Sequence, residues 1–198
     1  PHVVTGAYSD KLPEVQTYCP TADILSTSAT IDDYRALREQ GKDYWWYTCT
    51  QPKIPYPSYH IDDNGVSSRV MFWMMKEYDI SGYLTWELAY YIDGSVSPAE
   101  EVKGMDNYDN VHRWGDAYGD GWLVYPGAPF GIDTPVSSLR LETIRDGIED
   151  YKYLCMLEQA AGKQTVDELV RLVTTNVLVY TSDDDYLAAV RVLLGDRL

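Results

Sequence analysis

Positive charge is scarce in this sequence of 198 residues, where sixteen lysines and arginines face thirty-one aspartates and glutamates and leave a formal net charge of −15. A protein that grips a phosphate backbone needs a basic patch to displace counterions, so nucleic acid is not an expected partner. Apolar runs are short as well. No stretch approaches the roughly 18 residues that span a bilayer, and no basic segment followed by an apolar one opens the chain, so membrane insertion is not expected. Cys19, Cys49 and Cys155 stand too far apart for a disulfide framework or a zinc site, and their odd number leaves at least one thiol free. Buried, inert thiols are expected, and their number leaves the compartment open. Histidine is equally sparse: His2, His60 and His112 fall on a terminus and two loops, a spread that argues against a metal cluster. There is no G-x-S-x-G nucleophile elbow. The chain begins at Pro1 without methionine or leader and reads as a piece of something longer, any export signal lying upstream.

Aromatic side chains, by contrast, are plentiful, with eighteen tyrosines and six tryptophans, and 45% hydrophobic content predicts one packed domain over 1–198. They concentrate in Tyr44-Trp45-Trp46-Tyr47-Thr48-Cys49-Thr50-Gln51-Pro52, a β-type run that stops at proline. Pro52, Pro55 and Pro57 prevent further pairing and are expected to expose Tyr56, Tyr59 and His60 on a stiff loop. Flat rings at the carboxyl end of a strand suit sugars, whose C–H faces pack on aromatic surfaces while their hydroxyls need directional partners. Trp45 and Trp46 point to opposite faces of such a strand. Core packing and ligand contact by one of the two stand level on the sequence.

Four β-type runs come first: Val3 to Ala7, Val15 to Cys19, Tyr44 to Cys49 and Gly82 to Leu88. Each leads into a loop or helix, an order that predicts βα units and a parallel sheet. Thr30 is expected to cap a helix that Gly41 closes, with Asp32 and Asp33 in its first turn. Val66 to Tyr78 is apolar nearly all round, as in a deeply packed helix. The polar stretch Asp93 to Ala117 is long enough to suggest a loop that covers a site, and Gly119 to Gly127 reads as a short strand on the same face. Ser137 or Ser138 caps a long helix striped by Leu141, Ile144, Ile148, Tyr151 and Cys155. Two amphipathic helices follow, Val166 to Val177 and Tyr186 to Leu194, so that 1–158 hold the βα units and 159–198 the terminal helices.

Gly41-Lys42-Asp43-Tyr44-Trp45-Trp46-Tyr47-Thr48-Cys49, Pro55-Tyr56-Pro57, Gly121-Trp122-Leu123-Val124-Tyr125-Pro126-Gly127 and Leu139-Arg140-Leu141-Glu142-Thr143-Ile144-Arg145-Asp146-Gly147-Ile148-Glu149-Asp150-Tyr151 occur in this order. From about Val3 to Leu157 the sequence resembles the DUF4091 domain of glycoside hydrolase family 123. The resemblance implies a (β/α)8 TIM barrel that releases terminal β-linked N-acetylgalactosamine by a substrate-assisted retaining mechanism. In that scheme the substrate's acetamido oxygen attacks the anomeric carbon, an Asp orients it and the adjacent Glu protonates the leaving oxygen. No metal or cofactor is implied. The Asp-Glu pair of that family follows the fourth barrel strand, whereas the runs here resemble strands five to eight. The expected fold is therefore α/β, the C-terminal half of a TIM barrel with about four parallel strands followed by C-terminal helices, inactive alone. Asp32-Asp33, Asp62-Asp63, Glu100-Glu101, Glu149-Asp150, Asp167-Glu168 and Asp183-Asp184-Asp185 are adjacent carboxylates, but none directly follows a strand. Asp62-Asp63 is expected to start the next helix, and Asp167-Glu168 falls in the first turn of another.

Barrel enzymes place their chemistry at the carboxyl ends of strands, which nominates Tyr47, Tyr56, Trp86, Glu87 and Tyr125 as the substrate wall, Trp86 as the stacking platform. Glu87 is equally suited to sugar hydroxyls or to a buried partner such as Arg140. Arg140, Arg145 and Glu149-Asp150 read as structural ion pairs, with Arg145 and Glu149 at i,i+4. An incomplete barrel exposes strand edges and an apolar inner face, so self-association or rearrangement is expected. The glycan is the expected partner. A carbohydrate-binding or scaffold module without catalysis is the alternative, and an acidic protein-interaction domain a third.

Overall fold

The computed structural model describes residues 2–90 and 117–198. Four strands, β1 (Val3–Val4), β2 (Thr17–Tyr18), β3 (Asp43–Thr48) and β4 (Gly82–Thr85), form one sheet in the order β1-β2-β3-β4. Every neighbouring pair is parallel, with Trp45 opposite Gly82 and Tyr47 opposite Leu84. The predicted parallel α/β half-barrel is what forms, although the two first strands are shorter than their apolar runs. β3 obeys strict alternation: Tyr44, Trp46 and Thr48 are buried, while Trp45 and Tyr47 on the other face are half-buried. Trp46 is therefore core, and Trp45 lies on the inner face, its ring flat over Gly82.

Helices cover the outer face. α1 (Ser28–Glu39) begins earlier than Thr30 suggests, because the Thr27 side chain accepts the Thr30 N–H at 3.3 Å and caps the helix first. α2 (Ser67–Glu77) buries Val70, Met71, Phe72, Trp73, Met74 and Met75, as its all-round apolar pattern requires. Asp62 and Asp63 do not start it; they stay in the preceding loop, where Asp63 Oδ2 accepts the Ser58 N–H at 2.8 Å and its hydroxyl at 2.5 Å. β5 (Val124–Tyr125) and β6 (Val136–Ser137) form an antiparallel hairpin that delivers the chain to α3 (Leu139–Ala161). Ser138 caps α3, accepting the Leu141 N–H at 3.1 Å.

α4 (Lys163–Val173) starts earlier and stops sooner than expected, so Asp167 sits in its second turn, paired with Lys163 at 3.4 Å. The β-branched run after it turns into a hairpin, β7 (Thr174–Asn176) and β8 (Val179–Tyr180), before α5 (Asp184–Asp196).

α2 and α3 lie close because Gly147 has no side chain: a Cβ there would sit 2.3 Å from the Phe72 ring. Beside it, Asp150 is 1% exposed and accepts from Arg69 Nε at 2.7 Å, Trp73 Nε1 at 2.9 Å and Arg191 Nε at 2.6 Å. One carboxylate thus ties α2, α3 and α5 together, and both its oxygens are satisfied. Arg145 pairs with Glu142 at 2.6 Å, an i,i+3 contact, and with Asp146 at 3.4 Å, in place of Glu149. The three cysteines are free thiols, Cys19 buried and the others half-buried, which departs from the expectation of full burial at Cys49 and Cys155. No described helix is long and apolar enough to cross a membrane.

Candidate functional site

The carboxyl ends of β3 and β4 carry the polar groups that the inner face lacks. Tyr47 points inward from β3, half-buried, and burial raises its hydroxyl well above the ordinary tyrosine range, helped by its contact with Cys49 and the nearby charge of Asp120. Just past β4, the Trp86 indole N–H donates to Asp120 Oδ1 at 2.9 Å. The loop that carries Asp120 runs beside the end of β4, held by Tyr90 N–H to the Gly121 carbonyl and Leu123 N–H to the Leu88 carbonyl, both 2.9 Å. Gly121 has φ +73°, and a Cβ there would lie 2.8 Å from Trp86 Cζ2. Only glycine allows the turn to press against the indole edge.

Asp120 itself is 7% exposed, and its Oδ2 is covered and has no hydrogen-bond partner among the described residues. Burial pushes its carboxyl above the usual carboxylate range; the Trp86 bond, the charges of His60 and Arg140 and the Gly121 amide act in the opposite direction. Leaving such an oxygen unmet costs about 1–3 kcal/mol, more when it is charged. Sequence pattern alone does not single out Asp120. Its signal is an acid held between two glycines and two residues before a buried tryptophan.

Arg140 lies behind this group. Its guanidinium donates to the carbonyls of Tyr59 (2.5 Å), Gly119 (2.9 Å) and Trp122, and to the Tyr125 hydroxyl at 3.3 Å. Burial lowers its pKa. The Glu87–Arg140 pairing that the sequence leaves open does not form, because Glu87 Oε1 folds back to accept the amide N–H groups of Leu88 (2.8 Å) and Ala89 (3.2 Å). Tyr59 and His60 are not exposed as their proline-rich surroundings suggest. Both are buried, Tyr59 stacking on Tyr83 at 4.9 Å between ring centres and His60 Nε2 donating to the Cys49 carbonyl at 2.8 Å.

The five nominated residues therefore divide. Trp86 bonds to Asp120, whose charge also reaches Tyr47; Glu87 is turned onto its own loop; Tyr56 packs against the core; Tyr125 lines a separate cavity of about 540 Å³ with Ile61, Phe130, Leu139 and Arg140. Residues 93–116, the expected covering loop with His112 and Glu100-Glu101, lie outside the described residues. Among the described residues, the acidic side chains near enough to share an ion are Asp183, Asp184 and Asp185, all exposed, and Asp183 is occupied in capping α5 through the Tyr186 N–H at 3.0 Å.

The model of the glycoside hydrolase 123 catalytic domain matches residues 3–157. The chain belongs to that family. A solved structure of a family 123 glycoside hydrolase from Clostridium perfringens, described in work on glycolipid glycan hydrolysis, superimposes with a TM-score of 0.69 at 18% identity. The superposition takes in 98% of this chain and 35% of that one, so the chain spans about a third of its length. No curated protein matches the chain by sequence. Within the family 123 domain, the match ends in α3; α4, the β7–β8 hairpin and α5 lie beyond it.

Proposed function

We propose that this chain supplies the carboxyl-terminal part of a glycoside hydrolase barrel acting on terminal β-linked N-acetylgalactosamine. The observation that carries the reading is the Tyr47, Trp86 and Asp120 group at the carboxyl ends of two parallel strands, within a family 123 domain. Trp86 offers a ring to the C–H face of a pyranose and Tyr47 a hydroxyl to its polar edge. Such a wall binds and orients the sugar; it does not break the glycosidic bond.

Bond cleavage in this reading belongs to an Asp-Glu pair upstream. The substrate's acetamido oxygen attacks the anomeric carbon, the Asp steadies the acetamido group, and the Glu gives its proton to the departing oxygen and later takes one from water. The experiment is hydrolysis of a chromogenic β-N-acetylgalactosaminide by the 198-residue chain and by a version extended upstream. Turnover by the extended protein and none by the shorter chain is the expected pattern. Hydrolysis by the 198 residues alone contradicts the upstream pair, and an inert extended protein contradicts the hydrolase reading.

One observation favours a second reading, sugar binding without hydrolysis. Asp32-Asp33, Glu149-Asp150 and Asp167-Glu168 all sit within helices, and Asp62-Asp63 is committed to the Ser58 turn. Binding to immobilised glycans by an extended protein that never releases sugar selects this alternative.

A further inference from the structure

We infer that Asn64 and Gly65 form a self-modifying site, at which the side-chain amide of Asn64 leaves as ammonia and water takes its place. This site is independent of the glycan reading above, and both of its residues are exposed.

The chain has four asparagines, and Asn64 is the one followed by glycine; Asn107, Asn110 and Asn176 precede Tyr108, Val111 and Val177. Asn64 and Gly65 lie in the turn that leads into α2. The Asn64 main-chain carbonyl accepts the Ser67 N–H at 2.9 Å, and its side-chain Oδ1 accepts the Val66 N–H at 3.1 Å. The second bond curls the side chain back along its own main chain, as asparagine does in turns. The curl turns Cγ toward the Gly65 nitrogen, and the Val66 bond draws electrons from the carbonyl under attack. The Gly65 N–H donates to no acceptor among the described residues, and no side chain shields it.

Asn176 supplies the contrast. Its Oδ1 accepts the Leu178 N–H at 2.8 Å, the same curl. The next nitrogen, however, belongs to Val177, which is fully buried and β-branched, and its N–H donates to the Tyr78 hydroxyl at 3.1 Å. One turn geometry is thus open to reaction at Asn64 and closed at Asn176.

In the reaction the Gly65 nitrogen gives its proton to solvent and bonds to Cγ. The carbonyl electrons move to Oδ1 and return as the Cγ–Nδ2 bond breaks, and Nδ2 takes a proton from solvent and departs as ammonia. Water then opens the five-membered imide at either carbonyl, giving aspartate or the isomer whose main chain runs through Cβ. Asparagine and water become a carboxylic acid and ammonia, with no change of oxidation state. Either product sets a new carboxylate beside Asp62 and Asp63. The isomer also lengthens the main chain just after Asp63, whose Oδ2 holds Ser58 through its N–H and hydroxyl. Ser58, Tyr59, His60, Asp63, Asn64 and Gly65 all line the cavity of about 540 Å³, so the reaction remodels the loop at the carboxyl end of β3.

The test holds the 198-residue chain at mildly alkaline pH and follows its proteolytic peptides by mass and by isoaspartate-specific enzymatic methylation. Exchange of ammonia for water is expected in the peptide that holds Asn64 and not in the one that holds Asn176. Gly65→Val tests the route: a Cβ at 65 meets nothing within 4 Å and the backbone there lies outside the left-handed region, so the variant keeps the fold while its branched side chain shields the nitrogen. Loss of the conversion is expected. Asn64→Gln, which would have to close a six-membered ring, is expected to lose it as well and serves should the valine variant not fold. Aged wild type is expected to lose amide-exchange protection at Ser58 and His60 relative to aged Gly65→Val. An intact Asn64, equal conversion at Asn176, or conversion undiminished in Gly65→Val overturns the site; unchanged protection in a fully converted chain overturns its effect on the loop.

Discussion

Replacing Asp150 by alanine tests whether one carboxylate holds the helical layer together. The side chain is 1% exposed and receives Arg69, Trp73 and Arg191, from α2 and α5, while itself standing on α3. Its removal leaves two guanidiniums without their shared anion, and an indole N–H without an acceptor. Breaking a buried pair by deleting one partner costs about 3–5 kcal/mol. The arginine side chains retain 20% and 24% of their exposure, so water can recover part of the loss and the lower end of that range applies. At about 2–4 °C per kcal/mol for a chain of this size, the melting midpoint should drop by about 6–12 °C. Urea unfolding followed by circular dichroism should show a lower midpoint with an unchanged slope, since the exposed surface does not change. Asp150→Asn keeps an acceptor for Trp73 and should lose less. A variant within about 1 kcal/mol of wild type would refute the idea that this carboxylate, rather than apolar packing, sets the helix arrangement.

Three further outcomes follow from the same geometry. Gly147→Ala puts a methyl 2.3 Å from the Phe72 ring and 3.1 Å from the Arg69 carbonyl, and overpacking of that kind costs about 1–3 kcal/mol; a thermal melt matching wild type would show that α2 and α3 can part freely. Arg140→Lys exchanges a fork that reaches four acceptors for a single ammonium; thermal stability should fall and the Trp122–Tyr125 region lose amide-exchange protection, and full protection would refute the bracing role. Burial raises the Asp63 carboxyl in the folded state, so the folded chain holds that proton more tightly than the unfolded one does. Its contribution is complete below the ordinary value of about 3.9 and is lost as pH rises through the raised folded value. Asp63→Asn should therefore flatten the loss of stability between acid and neutral pH, and identical pH profiles for the two proteins would contradict the raised value.

Much of this arrangement is legible in local pattern, because local pattern decides it. Alternation sorts Tyr44 and Trp46 from Trp45 and Tyr47, Ser138 announces α3, and the all-round apolar run of α2 has no place but the interior. Less legible are the groups whose partners are far along the chain. Tyr59 and His60 follow prolines that normally mark exposed loops, yet they are buried against Tyr83 and Cys49 by pairings that no spacing reveals. Arg140 stands on a regular helix and resembles a surface ion-pair former, but its acceptors are loop carbonyls brought in by tertiary structure. The β7–β8 hairpin is hidden because Val166 to Val177 keeps helical spacing past the point where β-branched residues take over. Asp120 carries its meaning entirely in what surrounds it.

The main sheet lays its strands side by side in the order of translation, each parallel to the one before. A nascent polypeptide with this plan always offers a finished border to the next segment leaving the ribosome, and no early strand waits unpaired for a distant mate. The helical clasp works on a different schedule. Asp150 and Arg69 lie on α3 and α2, but Arg191 comes only with α5, about forty residues further along the chain. Sequence order thus completes the sheet at β4, whereas the clasp across the helices needs the last helix of the chain.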